Sequence, residues 1–271
     1  MPMIETSDGP VWRRRTTTRQ LLTWFGWLVG IAITVFAWLR IADNDLLWVY
    51  MPTVGREAAD MIARMIPPKW SYMDVLWKPV WDTLNIATIG TVMAMIIAVP
   101  LAFAAATNTT PHKLVRAVAL FIIVSSRSVN SLIWALALVF ILGPGVLAGT
   151  LAIGLRSIGG CTKLLYEAIE EIDHKQVEAI EATGASRVQQ MAWAILPQVM
   201  PTFAGVAVFR WDINVRGSTI LGLVGAGGIG LQLSSSMAIL AWTQVSLILL
   251  VILGTVIISE FVSAKVRHAI I

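Results

Sequence analysis

The chain has 271 residues, 57% hydrophobic and 13% charged, with mean hydropathy +0.76 and a formal net charge of +4. That balance excludes an ordinary soluble domain, in which about 25% of residues are charged. The single cysteine, Cys161, excludes an intrachain disulfide or a Cys-based metal site, and the scattered basic residues form no stripe that would suit nucleic acid.

The N-terminal arm is acidic and polar from Met1 to Asp8, then carries Arg13, Arg14, Arg15 and Arg19 ahead of an apolar run from Leu21 to Leu39. A run of about 19 residues spans the roughly 30 Å hydrocarbon core. A secretory signal would have a shorter apolar region and a small-residue cleavage site, so the run reads as a retained first span with its arginines cytoplasmic. In the loop that follows, Val54, Ala58, Met61, Ile62, Met65 and Ile66 repeat at helical spacing opposite Arg56, Glu57, Asp60 and Arg64, until Pro67 and Pro68 end the pattern. That composition predicts an amphipathic helix lying on the lipid surface.

Five further spans are expected at about Leu84–Ala106, Leu114–Ile141, Pro144–Tyr166, Val199–Leu223 and Ile239–Phe261. Six spans put both termini on one side. Lys113 and Arg116, the Lys163–Arg187 segment, and Lys265 and Arg267 all fall on the side of the N-terminal arginines, which the positive-inside rule makes cytoplasmic. The turns expected on the opposite side, at Gly143-Pro144-Gly145 and after Leu223, hold no Lys or Arg. The expectation is an all-α, multi-pass protein of the cell membrane with about six transmembrane helices.

From Thr83 through Tyr166 there is no Asp or Glu, yet Arg127 and Arg156 lie in or near apolar helices, and the fifth span adds Arg210 and Arg216. An arginine at a helix centre costs roughly 2.5–3.5 kcal/mol on insertion scales and usually faces a cavity or a partner. Asp212 and Arg216, four apart, can pair on one helix face; Asn214 stands four after Arg210 and offers it only a neutral carbonyl. Arg127, Arg156, Arg210, Asn214 and Arg216 are the candidate pathway residues, because a guanidinium fork matches phosphoryl oxygens bidentately. The competing reading is that the arginines snorkel to headgroups or bond exposed carbonyls.

Between the fourth and fifth spans, residues 167–198 form the one long polar stretch on the inner side. It reads as a short helix, a break at Gly184, and a second helix running into Leu196 and Pro197. Here the chain resembles the membrane permeases of bacterial ABC importers, whose cytoplasmic EAA motif has Glu-Ala-Ala, a later Gly and an Ile-x-Leu-Pro end. Glu178, Ala179, Gly184, Leu196 and Pro197 stand at matching spacing, with Ile180 in place of the second alanine and Ala194, beside Ile195, in place of the isoleucine. A second, narrower resemblance, to phosphonate importer permeases, rests on RSVNSLIWALALVF (127–140) and FRWDINVRGSTILGLVGAGGIG (209–230). This chain has Asn130 and Ser131 where those proteins have Pro and Glu at a kink.

The resemblance covers about Trp81 to the C-terminus. It implies a MetI-like transmembrane domain over 81–271 with a coupling helix in 167–198, preceded by an N-terminal region, 1–80, of arm, first span and amphipathic loop. It also implies a second permease copy as a homodimer, ATPase subunits that use ATP and Mg, a periplasmic or lipid-anchored solute-binding protein, and import of phosphonate, phosphite or phosphate. Another small anion, or a gradient-driven transporter, are the alternatives; the latter would call for acids within the spans, where only Asp212 qualifies, Glu260 being the next-to-last residue of the sixth.

Gly225–Gly230 satisfies G-x-G-x-x-G, but Leu250 occupies the place of the acid expected about twenty residues on, so the glycines read as a tight turn between spans five and six. No phosphate-loop motif is present, and His112, His174 and His268 lack metal-ligand spacing.

Overall fold

The computed structural model describes residues 3–6, 9–12, 17–42 and 50–270. Arg13–Arg15, Asp43 and Asp45 lie outside the described residues. The chain divides into two compact units, Met1–Ala63 and Arg64–Ile271.

In the first unit, β1 (Met3–Thr6) and β2 (Gly9–Trp12) pair antiparallel, with Met3 opposite Trp12. Then α1 (Thr17–Ala42) runs for 26 residues, about 39 Å at 1.5 Å per residue. No residue of its apolar window is buried within the chain, as a helix solvated by lipid requires. α2 (Val54–Met65) is the amphipathic helix of the loop.

The second unit is a helical bundle. α3 (Met73–Ala105) and α6 (Val146–Glu170) form its axis and share its most extensive packing. Along α3 the buried positions Ala87, Gly90, Ala94, Ala98, Ala102 and Ala105 recur every three or four residues. A stripe of small side chains lets helix backbones approach where no hydrophobic drive separates protein from lipid. α4 (Lys113–Ser128), α5 (Ser131–Leu142) and α8 (Arg187–Gly222) complete the wall around α6. α7 (His174–Glu181) lies between α6 and α8 in the chain, and α9 (Gly228–Ala238) and α10 (Trp242–Ile270) follow.

Among the described residues, α1, α8, α10 and α3 with its lead-in turn are each long and apolar enough to cross a membrane, and α4 and α5 pass that test only together, as a broken span or a re-entrant loop. α6, also 25 residues long, carries Arg156 and Lys163 and is largely buried.

Two expectations change. The third span is not one helix: α4 and α5 meet at 86°. Val129 and Asn130 are extended there, and the Asn130 side chain caps α5 by accepting from the Leu132 N–H at 3.1 Å. Asparagine thus makes the bend, because its oxygen satisfies a helix N–H that the bend exposes. The glycine segment after Leu223 is also more than a turn, since it leads into the separate helix α9, which packs on α8, α3 and α10. Leu240, with φ 55°, then reverses the chain into α10.

Two cores occupy opposite ends of the α3–α6 axis. One gathers Ala98, Ala102, Cys161, Leu165, Val199 and Phe203 at the end where α6 gives way to α7, which we call the charged end. The other gathers Ile86, Ala152, Ile153, Leu221 and Ala226 at the glycine end.

Candidate functional site

At the charged end, Asp173 caps α7 by accepting from the Lys175 N–H at 3.0 Å. Glu178 and Ala179 are exposed on α7, and Ile180 is half-buried. The helix stops where Gly184 takes φ +80° with no neighbour near its α-carbon. The chain then re-enters a helix at Arg187, with Gln189 Oε1 accepting from the Ser186 N–H at 2.8 Å. Pro197 has no N–H to give and its ring would press on the preceding turn. A π turn over Met191–Ile195 widens the helix just before Leu196 and Pro197. Ala194 and Ile195 are both buried, so the departure from the motif's isoleucine place still fills the core.

Sequence reasoning missed what holds this segment. Glu170 Oε1 accepts from the Thr107 N–H at 2.8 Å, and Asn108 donates to the Ile169 carbonyl at 2.6 Å, fastening the α3–α4 loop to the end of α6. Gln198 Oε1 accepts from the Asp173 N–H at 3.0 Å, fastening the start of α7 to α8. A cavity of about 320 Å³ lies among Thr107, Thr110, His174, Val177, Arg187 and Gln190. The Asn-Thr-Thr run between two spans was the available signal; its partners are about 60 residues away.

At mid-bundle, four of the five pathway candidates meet on one turn of α6. Arg156 stands on that turn, half-buried. Arg127, at the end of α4, lays its stem against Gly159, and the Arg210 guanidinium of α8 lies on Gly160. The Ser126 hydroxyl bridges the same turn, accepting from the Gly159 N–H at 3.1 Å and donating to the Leu155 carbonyl at 2.5 Å. Asn214, 3% exposed, accepts from Ser157 at 3.1 Å and donates to Thr91 at 2.9 Å, tying α8 to α6 and α3. Buried polar groups in an apolar interior are costly unless bonded, so this triad is a fixed part of the bundle. The Arg210 Nε is buried without a hydrogen-bond partner.

Arg216 belongs elsewhere. It pairs with Asp212, and the other oxygen of that buried carboxylate accepts from Ser259 of α10 at 3.0 Å. Residues 212 and 214 point about 200° apart on a helix, which separates this ion pair from the Asn214 face. The acid expected to pair with Arg216 therefore does so, and is turned away from Arg210.

The glycine end is closed by backbone. Gly225, Gly227 and Gly228 have φ of +89°, +81° and +72°. The Gly145 N–H donates to the Gly225 carbonyl at 3.0 Å, and Thr83 Oγ1 accepts from the Ile229 N–H at 2.8 Å.

Residues 95–267 match the family described as the binding-protein-dependent transport system inner membrane component. The chain is 39% identical over 238 residues to the phosphite transport system permease protein PtxC of Stutzerimonas stutzeri, covering 88% of this chain and 85% of that protein. It is 38% identical over 226 residues to the phosphate-import permease protein PhnE of Mycolicibacterium smegmatis, covering 82% of this chain and 42% of that one. The fold is similar to a chain of the inward-facing MetNI methionine ABC transporter, with a TM-score of 0.64 at 20% identity over 75% of this chain and 99% of that one.

Proposed function

The chain belongs to the family of binding-protein-dependent transport system inner membrane components, and from that premise we propose that it is the permease subunit of an ATP-driven importer of phosphorus oxyanions such as phosphonate, phosphite or phosphate. The observation that carries the cargo class is that Arg127 and Arg210 both reach the turn of α6 that carries Arg156, in a stretch where residues 83–166 contain no acid. In a low-dielectric interior such charges act strongly on an anion, and forked donors suit phosphoryl oxygens.

On this reading the exposed Glu178 and Ala179 of α7, with Ile180 and the Gly184 break, receive a separate ATPase subunit on the cytoplasmic side. That subunit binds ATP and Mg. The Gln198 bond ties the start of α7 to α8, and α7 follows directly on α6, whose end the Glu170 bond fastens to the α3–α4 loop, so a push on α7 travels up α6 from Glu170 to the arginine turn, about 15–20 Å away at helical rise. Leu196 and Pro197 begin the α-helical part of α8 that follows the π turn and carries Arg210. A second permease copy completes the pathway, a solute-binding protein delivers the anion outside, and both termini are cytoplasmic.

The test is uptake into proteoliposomes holding the whole assembly. Uptake of a phosphonate, phosphite or phosphate that requires ATP and the binding protein is the expected result. Uptake that persists without an ATPase or ATP would establish the gradient-driven alternative instead, and stimulation only by unrelated anions would remove the phosphorus cargo.

A further inference from the structure

We propose that Gly160 is a positioning residue for the anion path: its missing side chain is the seat on which the Arg210 guanidinium lies, and this fixes where the positive charge points. The inference rests on the reading of Arg210 as a path residue.

Nothing else in the surroundings of Arg210 sets its direction as well. The acid of its own helix, Asp212, is taken by Arg216 and Ser259. Asn214, one turn along on the Arg210 side of α8, has its carbonyl bonded by Ser157 and its amide given to Thr91. Arg210 Nε is buried with no acceptor. Besides a side-chain hydrogen bond with the Cys161 thiol, what remains is shape. The three atoms that a β-carbon at position 160 would meet first are Nη2, Cζ and Nη1 of Arg210, all closer than real β-carbons come. The guanidinium therefore rests on bare α6 backbone, beside the buried Cys161. A planar group laid on a helix backbone loses little further freedom when an oxyanion arrives, which is the gain from preorganisation.

Gly159 differs in kind. Its added β-carbon would meet the Ile123 carbonyl at 2.5 Å as well as the Arg127 stem. A backbone oxygen cannot swing aside, so Gly159 serves the α4–α6 contact, whereas the three nearest atoms at Gly160 all belong to the Arg210 side chain. The seat can therefore be occupied without disturbing the bundle, at the expense of Arg210.

The experiment is a double-mutant cycle in the complete reconstituted assembly, with inorganic phosphate, phosphite and a simple alkylphosphonate as probes. Gly160→Ala is expected to lower uptake about tenfold or more, the scale on which a displacement near 1 Å of a positioned group is felt. In an Arg210→Lys background the same change should cost less than about twofold, because the thin lysine stem needs no seat and the two sites are coupled. Equal losses in both backgrounds, or full uptake by Gly160→Ala, overturn the proposal. If Gly160→Ala fails to assemble, the Gly160→Ala/Arg210→Ala pair must restore assembly, since the guanidinium is what the methyl meets first; failure there also overturns it. Parental uptake by Arg210→Ala sinks the anion path as a whole. Impaired uptake by Arg210→Ala with normal uptake by Gly160→Ala sinks only the seat.

Discussion

Gly184 and Gly227 have nearly the same backbone torsion, φ +80° and +81°, at opposite ends of the bundle, and they serve opposite purposes. Gly184 ends α7 in open space, with nothing near its α-carbon. Gly227 is packed so closely that a β-carbon would reach the Val146 nitrogen at 2.9 Å and the Gly145 carbonyl carbon at 3.1 Å. The charged end lets a left-handed glycine turn an exposed helix outward, and side chains such as Glu170 and Gln198 tie its loops down. The glycine end brings backbone against backbone at Gly227 and fastens the start of α9 with the Thr83 hydroxyl. One end is exposed, the other closely packed.

Substitutions break or sharpen that contrast. Gly227→Ala should be the most damaging, with strain of about 1–3 kcal/mol at a φ/ψ of +81°/−172° that essentially only glycine adopts, and a clash of similar size, about 1–3 kcal/mol, against Val146. A thermal unfolding midpoint in detergent equal to that of the parent would show the glycine end to be looser than its contacts imply. Asn214→Ala, which strips partners from buried Ser157 and Thr91, should come next at about 1–2 kcal/mol. If the midpoint does not move, the polar triad is not a fixed strut between the ends. Gly184→Ala should cost about 1 kcal/mol, for left-handed strain alone. Were it to cost as much as Gly227→Ala in the same assay, torsion and not enclosure would govern both sites. Glu178→Lys should shift stability by less than about 0.5 kcal/mol, being exposed, yet lower ATP-dependent uptake while leaving the midpoint in place; unchanged uptake would remove α7 as the ATPase contact.

The spans were legible because lipid enforces a simple rule, that a crossing segment be apolar for about 20 residues and its loops charged on one side. α2 was legible for the same reason, since amphipathic spacing shows in one dimension. Residues 167–198 were legible as a polar interruption with a break at Gly184. The 86° bend at Val129–Asn130 was not, because Val129-Asn130-Ser131 is a weak breaker by composition, and its effect comes from one side-chain oxygen capping α5. α9 was hidden because a short helix beside a glycine run has no period long enough to read.

For the site, the residue types of Arg127, Arg156, Arg210 and Asn214 stood out in the sequence as charge and polarity without acids. Their meeting on one turn of α6, the assignment of Asp212 to Arg216 and Ser259, and the place of Gly160 beneath a guanidinium depended on how α4, α6 and α8 pack. The sequence by itself determined which segments lipid would accept and which would leave it, because transfer free energy is summed residue by residue along the chain. Only the tertiary structure decided which arginine faces which helix, because that depends on a β-carbon being absent at a contact between residues 50 apart in the chain.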